Sequence, residues 1–110
     1  MTKDPPFSAD IAVEAKTVGS GFDTPDLMDP LRTAFFDANK EVFGGNEPLF
    51  VGCGGGIPFM QFLAESFPGV SFLLTGVGFP DCNAHAANEN LDLEFCRKLI
   101  TTLALTLSKL

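Results

Sequence analysis

Tryptophan and tyrosine are absent from this chain of 110 residues, histidine occurs once, and cysteine occurs three times. Each shortage excludes something. The twelve aromatic side chains are all phenylalanine. Phenylalanine has no hydrogen-bonding tip, so these rings are core material first and ligand platforms second. Basic residues are scarce as well: seven Lys and Arg stand against fourteen Asp and Glu, a net charge of -7. So acidic a chain has no electrostatic footprint for nucleic acid or for an anionic membrane surface. Three cysteines cannot all pair with one another, which argues against a secreted disulfide scaffold and for a reducing, cytoplasmic compartment. The first six residues are polar and lack the apolar stretch of a signal peptide. The most apolar region, residues 49–80, is broken repeatedly by Gly and Pro, so no spanning helix is expected.

What is present fits a globular domain. Hydrophobic residues make up 45% and charged residues 19%, well away from a disordered composition. Residues 8–16 alternate, with Ala9, Ile11, Val13 and Ala15 on one side and Asp10, Glu14 and Lys16 mostly on the other. That is the pattern of a half-buried strand. Gly19, Ser20 and Gly21 break it, and residues 19–25 read as a linker.

A helix is expected next, opened by Thr24-Pro25-Asp26 or by Asp29-Pro30. Leu27, Leu31, Phe35, Ala38 and Val42 form its apolar stripe, and Gly44-Gly45 closes it. Residues 48–51 are a short apolar run feeding Gly52-Cys53-Gly54-Gly55-Gly56. A second helix should run from about Ile57-Pro58 to Phe67 and stop at Pro68-Gly69. Residues 70–77 read as a buried strand. Between residues 49 and 80 the one charged side chain is Glu65, as expected for parallel strands covered on both faces. A last helix over about 91–110 should bury Cys96, Leu99, Ile100, Leu103, Leu107 and Leu110. Alternating elements of this kind predict a three-layer α/β/α sheet with right-handed crossovers.

Two loops would then follow the C-terminal ends of parallel strands, where open α/β sheets place their sites. The first holds the glycines 52 and 54–56. Consecutive glycines let the backbone approach a ligand closely, and a helix N-terminus beyond them favours an anion. A tight strand-to-helix turn explains them equally well. The spacing fits neither a P-loop nor a dinucleotide fingerprint. The second loop holds His85, within four residues of Asp81, Cys82, Asn83, Asn88 and Glu89. A histidine taken alone is more often a hydrogen-bonded structural residue than a ligand. A catalytic zinc needs three protein ligands and a structural one four.

Three motifs together, GCGGGIPFM, FPGVSFLLTGVG and NAHAANENL, resemble the C-terminal part of metallopeptidase family M-twenty. These are the di-zinc enzymes that include carnosinase-like dipeptidases, aminoacylases and glutamate carboxypeptidase. The motifs occur in the family's order and cover about residues 48–92. The resemblance implies that His85 is the final histidine ligand of one of two zinc ions. It implies that Gly54, Gly55 and Gly56 offer backbone N–H groups to a substrate carboxylate, and that Asn88 and Glu89 shape the histidine loop. Glu89 would orient the metal-bound imidazole or cap the last helix.

The family's upstream His-x-Asp motif, bridging Asp and Glu-Glu pair have no counterpart here. Cys53 and Gly56 also depart from the residues frequent at their positions. The resemblance therefore implies a C-terminal piece of a zinc peptidase acting on dipeptides or N-acyl amino acids. Residues 1–18 would be the last strand of an inserted lid domain, 19–25 the linker, and 26–110 half of the catalytic domain. Such a piece alone is expected to be inactive, with two zinc ions only in the whole enzyme. Its unpaired sheet edges would favour a homo-oligomer.

Three other readings stay open. Cys53, between strand and helix, could be a nucleophile with His85 as its base. Cys82-x-x-His85 could join Cys53 or Cys96 in a small zinc site. A non-catalytic α/β binding module is the third.

Overall fold

The computed structural model describes residue 4 and residues 6–14, 21–52 and 57–110, with the side chains of Pro6 and Pro58 left aside. Among the described residues there are three α-helices: α1 (Leu31–Val42), α2 (Pro58–Ser66) and α3 (Leu93–Ser108). A three-residue 3-10 turn lies at Pro6–Ser8. The chain divides into two compact units, one made of Met1–Phe22 and Gly54–Pro68, the other of Asp23–Cys53 and Gly69–Leu110.

No strand forms among the described residues, so the expected three-layer α/β/α architecture is overturned. Residues 9–14 are irregular and exposed throughout, with no alternation of burial. Residues 15 and 16 of that expected strand lie outside the described residues. Residues 48–51 and 70–77 are also irregular. Leu49 is 90% exposed and Val51 86%. A parallel strand is covered on both faces, and these side chains are covered on neither. The physical reason is that a ladder needs two partners. An apolar, β-branched run marks a segment that would gain from burial, but it names no neighbour to pair with.

The helices start and stop where local chemistry directs. Asp29 Oδ1 accepts from the Thr33 amide at 3.1 Å and from its hydroxyl at 2.6 Å, which ties down the first turn of α1. Of the two expected openings, Asp29-Pro30 is the one used. At the other end Gly44 and Gly45 take positive φ, and the Gly45 amide reaches back to the Lys40 carbonyl at 2.7 Å. Only glycine adopts that left-handed turn without strain. Helix α2 has Pro58 in its first turn and ends before Gly69, another positive-φ residue. Helix α3 is capped by Asp92, whose Oδ1 accepts from the Phe95 amide at 2.9 Å.

Within the larger unit α1 packs on α3. Helix α1 buries Ala34, Phe35, Ala38 and Asn39; α3 buries Leu99, Thr102 and Thr106. Small residues on both faces let two helix backbones approach closely. The threonines are buried without cost in lost hydrogen bonds, because Thr102 donates to the Lys98 carbonyl at 2.9 Å and Thr106 to the Thr102 carbonyl at 2.7 Å. Phe43 and Phe95 extend the contact, with ring centroids 5.8 Å apart. Beyond the helix end, buried Asn39 donates to the Asn46 carbonyl at 2.8 Å and pins the turn that follows.

The expected buried stripe of α3 is corrected in part. Leu99 is buried, and Cys96 and Leu103 are half-buried, but Ile100, Leu107 and Leu110 face outward.

Candidate functional site

The histidine loop is held by backbone bonds at its base. The Cys82 amide donates to the Phe79 carbonyl at 3.0 Å, and the Asn90 amide to the Cys82 carbonyl at 2.9 Å. The Asn90 side chain donates from Nδ2 to the carbonyls of Asp81, at 3.1 Å, and Asn88, at 3.3 Å. One asparagine thereby ties both ends of the loop together. Cys82 is buried beneath it. Inside, the Ala86 amide reaches the Asn83 carbonyl at 3.0 Å.

His85 sits on the outward part of this loop and is exposed. Its φ is +62°, and Asn83 and Asn88 also take positive φ, at 52° and 59°. Asparagine tolerates this left-handed region better than most residues. The two asparagines turn the chain on either side of the histidine.

The Asn88 carbonyl receives the Asn90 side chain, and Asn88 itself is exposed. Glu89 is exposed and does not cap α3; Asp92 does. Asn90 and Asp92 carry work that the sequence reading did not assign. Asp92 had a legible signal, an Asp just ahead of a periodic apolar run, although Phe95 replaces the Glu of a capping box. Asn90 had none, since its side chain serves two backbone carbonyls, nine and two positions back along the chain. The glycines 54–56 and Cys53 lie outside the described residues.

A zinc ion needs a set of donors. Among the described residues no group of three or more His, Cys, Asp and Glu side chains is arranged to hold a metal. Cys82, His85 and Cys96 therefore make no such centre. His85 can offer one imidazole nitrogen, and the described donor set does not fit a complete zinc site.

A half-open hollow of about 560 Å³ lies in the same unit. Leu49, Val51 and Gly52 line one part, Leu74, Thr75, Gly76 and Gly78 another, and Phe95 of α3 completes it. None of these side chains is charged. The hollow can shelter an apolar group, but it has nothing with which to move a proton or pair an ion.

Neither a family model, nor a curated protein, nor a solved structure matches this chain. No helix among the described residues is long and apolar enough to cross a membrane.

Proposed function

We propose that this chain contributes a single metal ligand, His85, to a zinc-dependent hydrolase of dipeptides or N-acyl amino acids. The remaining ligands would come from outside the described residues. One observation carries the reading: the chain's sole imidazole is held outward on a loop whose base is tied by Asn90. The NAHAANENL resemblance supplies the chemistry. When bound, zinc would polarise an amide carbonyl and activate water. This chain's own part is narrower: the loop fixes where one imidazole stands. The thiols of Cys82 and Cys96 are unpaired, which supports a reducing, cytoplasmic setting.

Zinc stoichiometry on the purified chain, beside His85→Ala, tests this. Well below one zinc per chain is expected, with no hydrolysis of dipeptides. Weak cobalt binding that perturbs the His85 ring resonances should vanish in the variant. A tightly held zinc in both proteins would overturn the proposal.

A second reading, a non-catalytic binding module, is favoured by the uncharged hollow beside Phe95. An apolar fluorophore displaced from it, unaffected by His85→Ala, would support that reading instead.

A further inference from the structure

Helix α3 has two apolar sides, and among the described residues one of them is covered. Leu99, Thr102 and Thr106 face inward. Leu93, Ile100 and Leu107 lie well round the helix from them and are 65%, 67% and 72% exposed. These three are seven residues apart, and Ala104 falls between the last two on the same stripe. Seven-residue spacing of aliphatic side chains is the period that keeps one helix in register with another, rather than with a sheet or a small ligand. Single exposed leucines are ordinary on a surface. A line of them along a 16-residue helix is a seam.

We propose that this seam pairs with the same seam of a second copy of the chain, the two α3 helices running antiparallel about Ile100. The three large aliphatic side chains are symmetric about the centre: Leu93 and Leu107 are equally distant from Ile100. A two-fold axis through Ile100 therefore sets each Leu93 against the partner's Leu107, as an isologous contact requires.

Charge selects the direction. A parallel pair would bring Arg97 beside the partner's Arg97 in the seam. The antiparallel pair moves these two guanidinium groups about 9 Å apart along the axis. It also lays the acidic N-terminal end, with the cap Asp92 and first-turn Glu94, alongside the partner's C-terminal end and its capping Lys109, which within its own chain lies 3.6 Å from Glu41, and it opposes the two helix dipoles. A 16-residue helix is roughly 24 Å long, so the contact is at the lower end of specific interfaces. The dimer is accordingly weak and concentration-dependent. This pairing uses a helix face, not the sheet edges that the sequence led one to expect, and it stands whether or not His85 is a ligand.

Sedimentation equilibrium on the full chain, from micromolar to near-millimolar concentration, tests it. The mass should climb from 11.7 kDa toward twice that value. Ile100→Glu should weaken association at least tenfold while leaving the helical circular dichroism unchanged, because the side chain is already exposed. Oxidation of Ile100→Cys should crosslink two chains, and oxidation of Leu93→Cys should not. A mass constant at one chain overturns the proposal, as does an Ile100→Glu protein that still dimerises. Efficient crosslinking through Leu93→Cys overturns the antiparallel arrangement.

Discussion

Residues 31–42, an amphipathic segment, and residues 70–77, an apolar one, both carry aliphatic and aromatic side chains, yet they come out differently. The first forms α1, capped at both ends and buried along one stripe. The second stays irregular, with Leu74 and Val77 exposed. The contrast is one of sufficiency. A helix satisfies its backbone within itself, and needs from outside only something to cover its stripe. An extended segment must find its hydrogen-bond partners elsewhere in the chain. Hydrophobicity supplies the motive to be buried in both cases, but only the helix carries its own means.

The comparison can be broken most sharply in the helix pair. Phe35→Ala should cost about 3–5 kcal/mol, since it empties the centre of the α1–α3 contact. Urea unfolding followed by circular dichroism measures it, and a loss below about 1 kcal/mol would mean that the two helices do not depend on each other. Asp92→Ala should cost about 1 kcal/mol by removing the side chain that caps the Phe95 amide at the start of α3. Asp92→Asn should recover most of this. Leu49→Ala should change stability by less than about 0.5 kcal/mol, as exposed substitutions do. A large loss there would show that residues 48–51 are covered in solution, and the contrast would fail.

The smallest effect is electrostatic. The hydrogen bond from the Thr33 side chain, then that from its amide, holds the Asp29 carboxyl below its ordinary pKa. Glu47 is lowered too, first by its hydrogen bond to Lys40 and then by that lysine's charge. A carboxyl lowered in the folded state stabilises above its unfolded pKa, and that stabilisation is lost as pH falls through the folded value. Both groups are exposed, so the effect is slight. Asp29→Asn should lower the melting temperature a little at neutral pH, and the difference from wild type should close below about pH 4. A gap that widens in acid would reverse the assignment.

The sequence made the helices legible because their signals are local. Asp29-Pro30, Gly44-Gly45, Ile57-Pro58 and Pro68-Gly69 each fix a boundary within a few residues. Strand pairing is not local, and residues 48–51 and 70–77 were misread for that reason. The face of α3 was misread for another. Its leucines looked like the buried side, while Thr102 and Thr106 looked polar. Each threonine satisfies its hydroxyl one turn back along its own helix and packs inward as a small branched residue. At the candidate site, His85 could be singled out as the lone imidazole, and Asn88 as part of its loop. Asn90 could not, because what it does depends on where two backbone carbonyls arrive.

The packing of α1 against α3 also has a meaning in time. About fifty residues of chain separate the two helices, a loop whose closure entropy rises only slowly with its length. Each helix can flicker into being within a microsecond, but neither is long enough to persist alone in water. Folding of this unit must wait for an encounter between distant parts of the chain. Changes that tighten α1 or α3 individually should therefore hasten folding only so far as they lengthen the moments in which both are present to meet.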